Sequence, residues 1–205
     1  MSYVNTSNAL EFLTESFASV IVDVDSKAEH SRWKPGIGPF EEERQIEMLV
    51  EAIGNYSGEL SLKTERTYPS SQRRCDLIIE TGIDQVPVEA KLLRFRYDNG
   101  SIDPASYART FTPFPEESSS SLLTDAKRLR DSDFKRNGGL LGLYYEEENE
   151  EYDQMNVKKI AEKVRIDTDY WHGFTSEVAK IARFDGLRHP HHQQGAVVAW
   201  KIIDQ

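Results

Sequence analysis

Apolar positions recur at helical spacing near the start of the chain, then switch to alternation. Asn8 can cap a helix over residues 8–22, with Leu10, Phe12, Leu13 and Phe17 as its apolar contacts. Ser31 to Gly38 carries Gly and Pro and reads as a loop. Pro39-Phe40-Glu41-Glu42-Glu43 opens a second helix, because Pro suits a first turn and acids favour the positive end of the dipole. Ile46, Leu49, Val50 and Ile53 form its stripe, and Gly54-Asn55 ends it. From Leu60 to Tyr68 the side chains alternate as in a strand, and residues 74–80 and 85–92 continue as short apolar strands.

The pattern then breaks. Pro104, Pro113, Pro115 and the run Ser118 to Ser121 predict that residues 94–121 are a long, flexible insertion without extended regular structure. Residues 121–136 read as a helix with Leu122, Leu123, Ala126 and Leu129 on one stripe. Leu140 to Tyr145 is a continuous apolar run, the mark of a strand covered on both faces. Glu146 to Glu151 reads as a solvated acidic turn, residues 154–165 and 174–184 as helices, and Ala196 to Ile203 as a closing strand. This order predicts an α/β fold, a mixed central sheet with helices on its faces.

At 205 residues, the chain is long enough for one domain with a substantial core. An apolar content of 38% sets it apart from disordered tails. Cys75 is the single cysteine, so no intrachain disulfide is available. The sequence shows no run long enough to cross a bilayer and no secretion signal at its start, so the expectation is a soluble, cytoplasmic protein without a membrane partner. The net charge of −10 taken alone argues against nucleic-acid binding. The charge is uneven, however. Residues 63–136 hold 13 Lys+Arg against 12 Asp+Glu, whereas residues 1–62 hold 4 against 11 and residues 137–205 hold 8 against 12.

That near-neutral third contains the chemistry-bearing residues. Asp76 lies in the strand Arg74-Cys75-Asp76-Leu77-Ile78-Ile79, and Glu89 and Lys91 in the next, Val86-Pro87-Val88-Glu89-Ala90-Lys91-Leu92. Alternation puts Glu89 and Lys91 on one face, roughly 6.6 Å apart. A Glu-x-Lys on a strand is most often a surface pair of small energetic weight. Here the apolar flanks imply central strands, where an acid is costly unless it is paired or holds a metal. Two carboxylates and an ammonium in one pocket can hold a divalent ion against a phosphate.

An Asp on one strand followed by Glu-x-Lys on the next resembles the PD-(D/E)xK nuclease superfamily, whose restriction-endonuclease-like core runs helix, three strands, helix, strand. Residues of about 39–145 follow that order. The resemblance implies a single nuclease-like domain over residues 1–205, with a C-terminal elaboration from about residue 152 containing helices and the closing strand. It implies a Mg²⁺-dependent DNA endonuclease, with Mn²⁺ as substitute and no small-molecule cofactor. A restriction or anti-phage role and a homodimer fit by analogy. Asp76 and Glu89 would bind metal and Lys91 would orient water. One departure is Cys75, which stands where the family often has Pro. Many members add an acid from the first helix, for which Glu43 is the candidate, with Glu42 and Glu47 as rivals. Arg74, Arg94, Arg96, Lys127, Arg128 and Arg130 are the expected nucleic-acid contacts, and Tyr97, Tyr107, Phe111 and Phe114 could stack on bases or anchor the loop. The alternative is a catalytically inactive nuclease fold serving as a protein-interaction module; an acidic nucleic-acid mimic ranks below it. His189-Pro190-His191-His192 is expected to be a turn before the last strand rather than a zinc site, and Trp33, Trp171 and Trp200 to be core or interface residues.

Overall fold

Asn5 starts the first helix by accepting a hydrogen bond from the Ser7 N–H, and α1 (Thr6–Lys27) follows. The computed structural model describes residues 5–54, 61–69, 72–81, 84–134, 138–146 and 155–203. Among them, five helices flank one six-stranded mixed sheet. The remaining elements are α2 (Glu42–Gly54), β1 (Ser61–Thr67), β2 (Arg74–Thr81), β3 (Asp84–Leu93), α3 (Pro104–Phe111), α4 (Leu122–Arg130), β4 (Gly139–Tyr145), α5 (Val157–His172), β5 (Thr175–Phe184) and β6 (Gly195–Ile203). None of the described helices is long and apolar enough to cross a membrane.

The spatial order is β1-β2-β3-β4-β6-β5. Only β3 and β4 run parallel, so the chain must cross a face of the sheet between them, and it does so through α3 and α4. β4 is buried along its whole length, as its unbroken apolar run predicts. On one face, Leu10, Leu13, Phe17 and Ile21 of α1 and Ile46, Leu49 and Ile53 of α2 pack on Leu77, Val88, Ala90 and Leu141. On the other, Leu122, Ala126 and Leu129 of α4 and Val157, Ile160 and Val164 of α5 pack on Ile78, Leu140 and Trp200. Trp200 is fully buried and donates its indole N–H to the Ala161 carbonyl at 3.0 Å. Trp33 and Trp171 are instead about half exposed.

The first helix begins at Thr6 and runs to Lys27, so its cap is Asn5 and not Asn8, and three further expected elements differ. Residues 174–184 form strand β5, not a helix, so the C-terminal region has one described helix rather than two. A register shift between Val178 and Lys180 breaks the alternation and leaves Val178, Ile181 and Ala182 at spacings that mimic a helix. The insertion contains α3, because Asp103 accepts from the Ala105 and Ser106 N–H groups and Pro104 occupies the first turn. α4 stops at Arg130, where the Ser132 hydroxyl takes the Leu129 carbonyl at 2.6 Å. Lys135, Arg136 and most of the acidic turn lie outside the described residues.

Candidate active site

The β2–β3 ladder ends at Leu77 and Val88, while β3 continues to Leu93. Even-numbered residues of β3 present their N–H groups to the β2 side, so beyond Val88 the Ala90 and Leu92 N–H groups find no β2 carbonyl, although both residues pair with β4. Two carboxylates take its place. Asp76 Oδ2 accepts from the Ala90 N–H at 2.8 Å, and Glu42 Oε2 accepts from the Leu92 N–H at 2.6 Å. The β1–β2 ladder is broken at the same level. Pairs form at Thr64–Leu77 and Arg66–Cys75 but not between Glu65 and Asp76, and Glu65 sits at φ 52°. A non-glycine residue there is strained, and such strain gathers at functional positions. Pro87 lies one residue before the β3–β4 ladder starts at Val88, so its missing N–H costs no ladder bond.

Glu89 and Lys91 point to the face covered by α4. Glu89 is 2% exposed. Its Oε1 accepts from the Tyr68 hydroxyl and from Arg128 Nη1 at 3.2 Å. Lys91 Nζ lies 3.0 Å from Glu42 Oε1 and 3.4 Å from Asp125 Oδ2. Arg128 Nη2 lies 2.7 Å from Asp125 Oδ1. Burial, then the charge of the facing Asp76, pushes the Glu89 carboxyl up to about 9. Burial alone would lower the Lys91 ammonium. Glu42 and then Asp125 outweigh it and hold the group above its ordinary value. Burial and the nearby Glu89 push the Cys75 thiol up to about 12, so Cys75 is an inert core residue.

The arrangement can therefore hold a cation. Four carboxylates (Asp76, Glu89, Glu42, Asp125) meet two side-chain cations (Lys91, Arg128), and with Glu89 ionised two negative charges remain. One divalent ion cancels them. A hydrogen bond to Asp76 also favours the protonated form of Glu89, so the two carboxyls stand close together. An all-oxygen pair of this kind suits Mg²⁺, which needs only one or two carboxylates and keeps its waters.

The acid that α2 brings to Lys91 is Glu42. Glu43 instead lies at the surface against Glu65, whose proximity raises its pKa, and Glu47 pairs with Arg44 at 2.9 Å. Arg128, expected as a DNA contact, is turned into the site. Arg74 is exposed and pairs with Glu65, while Lys127 and Arg130 both pair with Asp131 on the outer side of α4. Arg94 binds the Gly38 carbonyl and Arg96 the Gly100 carbonyl, so both brace loops beyond the end of β3. Phe111 is buried and Tyr107 packs on Phe95, so these anchor the insertion, whereas Tyr97 and Phe114 are about half exposed. Sequence reasoning passed over Asp125 and Tyr68. The signal for Asp125 was present, since it lies three residues after Leu122 and four before Leu129, on the buried side of α4.

No protein-family model, curated protein or solved structure matches this chain.

Proposed function

We propose that this protein is a Mg²⁺-dependent phosphodiesterase acting on DNA, built on a restriction-endonuclease-like core in which α2, β1, β2, β3, α4 and β4 follow the PD-(D/E)xK order. The observation that carries the reading is the convergence of Asp76, Glu89, Lys91 and Glu42 on the open edge of β3, with an excess of negative charge that one divalent ion neutralises.

Asp76 and Glu89 would hold the ion, which supplies polarisation of the phosphoryl group and a more acidic water. Glu89 would give up its proton to the ion, whose charge would offset the burial and the Asp76 repulsion that keep that proton in place. Lys91 remains an ammonium, so it is a donor and not a base. Its part is to orient the attacking water and to stabilise charge growing on the phosphate oxygens. Glu42 fixes where the ammonium stands by binding Nζ and the next backbone N–H with one carboxylate. Arg128 and Tyr68 hold Glu89 in one rotamer. A homodimer that cuts both strands, and a restriction or anti-phage role, belong to the same proposal and rest on the resemblance alone.

The test is cleavage of plasmid and oligonucleotide DNA with Mg²⁺ or Mn²⁺ by wild type and Lys91→Ala. Cutting by wild type that is lost in the variant supports the reading; an identical background from both removes it.

A further inference from the structure

The histidine run forms the expected turn, with the His192 N–H donating to the His189 carbonyl at 3.1 Å. It also does something a surface turn does not require. Pro190 and His191 are exposed, but His189 and His192 are buried at 0% and 1% exposure. Their rings stack, with centroids 4.6 Å apart and planes at 14°. Asp98, from the loop after β3, reaches the same point, its Oδ1 3.2 Å from His192 Nε2. One ligand-capable atom from each of the three lies within 4.8 Å of the others.

This cluster is built into the fold. Asp25, itself 1% exposed, accepts from the Ile37 N–H and the Arg188 N–H, both at 2.8 Å, and so ties the histidine loop to the loop before α2. A Cβ at Gly38 would lie 2.6 Å from the Cβ of His192, and one at Gly100, whose φ is +84°, would lie 2.6 Å from the His191 ring. Three loops therefore close on the cluster at van der Waals contact. Within it, His189 Nε2 is buried and has no hydrogen-bond partner among the described residues. A buried polar atom left unpaired costs free energy that a ligand can recover.

We propose that Asp98, His189 and His192 bind a transition-metal ion of the Zn²⁺ class, separately from the Asp76/Glu89 pair. Two imidazoles and one carboxylate are a three-ligand zinc set that leaves a fourth position open. Nitrogen donors favour Zn²⁺ over Mg²⁺, so the two sites select different ions. Burial disfavours the charged form of both imidazoles, leaving them neutral, the form that ligates. Loading requires local rearrangement. His189 Nδ1 accepts a long 3.3 Å bond from the His191 N–H, which leaves its proton on Nε2; that proton must move to Nδ1 and the bond must break. His192 Nε2 donates to the Asp98 carboxylate, so its proton must likewise move to Nδ1 as that bond gives way to the ion, and the rings turn out of their stack so that each lone pair meets it. Arg94, 3.5 Å from Asp98, releases the carboxylate. His192 also lines a cavity of about 80 Å³ with Phe95, Tyr107 and Tyr144, through which the fourth, non-protein ligand enters.

The test uses the full, untagged chain carrying Asp76→Asn, which disables the acidic site. The protein is stripped with chelator, dialysed against Zn²⁺ at neutral pH and read by elemental analysis and thermal melting. The expected result is one Zn²⁺ per chain and a Tm rise of roughly 5–10 °C at a hundredfold excess over Kd, with no rise from Mg²⁺. Adding Asp98→Asn or His189→Gln abolishes both. If His189→Gln does not fold, Asp98→Asn decides, with circular dichroism confirming that it is folded. No bound Zn²⁺ in the Asp76→Asn chain, or full stoichiometry retained by folded Asp98→Asn, overturns the site.

Discussion

Glu42 holds Lys91 through a two-point contact. One carboxylate oxygen lies 3.0 Å from the ammonium, and the other accepts the neighbouring Leu92 N–H at 2.6 Å. The second bond occupies a backbone donor that β2 would otherwise take, so the helix terminus is pinned to the strand carrying the ammonium. Glu42→Gln keeps an acceptor for Leu92 but removes the charge. Cleavage should fall by about 10- to 100-fold, as for a supporting partner of a reactive group. The alkaline limb of the pH–rate profile should move to lower pH, because Glu42 helps hold the ammonium above its ordinary value. An unchanged alkaline limb would show that Glu42 does not act through Lys91.

The pH dependence of the metal-free protein has a definite sign. The Glu89 carboxyl is raised from 4.5 to about 9 on folding. The folded state therefore binds the proton more tightly than the unfolded chain. Its contribution to stability is fully present below about pH 4.5 and is lost as pH rises toward 9. Thermal melting in chelator should show this decline, and Mg²⁺ should reverse more of it at pH 8.5 than at pH 6. Calorimetry in buffers of different ionisation enthalpy should detect proton release on Mg²⁺ binding.

Arg128 separates a positioning role from a DNA contact. It touches Glu89 and Asp125, both buried, and its own side chain is 20% exposed. Arg128→Ala strands the buried Asp125 carboxylate and takes a donor from Glu89, and should destabilise the metal-free fold by about 2–3 kcal/mol. A residue that only met phosphate would leave stability unchanged and flatten the salt dependence of DNA binding. Denaturant unfolding distinguishes the two.

Glu65 holds a left-handed backbone at φ 52° beside the gap in the β1–β2 ladder. Glu65→Gly should stabilise the protein by about 0.5–1 kcal/mol in urea, since glycine adopts this region freely. The substitution also removes the acid that faces Glu43. A loss of stability would mean that the Arg74 pair outweighs the strain.

The site was legible where local pattern sufficed. Alternation alone placed Glu89 and Lys91 together and set Asp76 on the adjoining strand. It could not choose between Glu42 and Glu43, because one residue turns a helix by about 100° and the choice depends on how α2 seats on β3. Asp125 and Tyr68 reach Lys91 and Glu89 through contacts distant in sequence, which no local period encodes. The irregularity in β5 disguises its alternation, so residues 174–184 carry a helix-like pattern in the sequence. The histidine run lacked a ligand in its own neighbourhood, and the missing carboxylate, Asp98, lies about ninety residues earlier.

The most direct measurement is the joint behaviour of Glu89→Gln in Mg²⁺-dependent plasmid cleavage and in thermal melting. At pH 8 the unfolded chain ionises this carboxyl while the metal-free folded state keeps it protonated, and Gln removes that cost while keeping the side chain's shape. The predicted result is a folded protein, more stable than wild type by about 1–2 kcal/mol at pH 8 without metal, that no longer cuts DNA. Glu89→Gln cleaving at the wild-type rate would contradict the proposal that this buried carboxylate holds the ion on which hydrolysis depends.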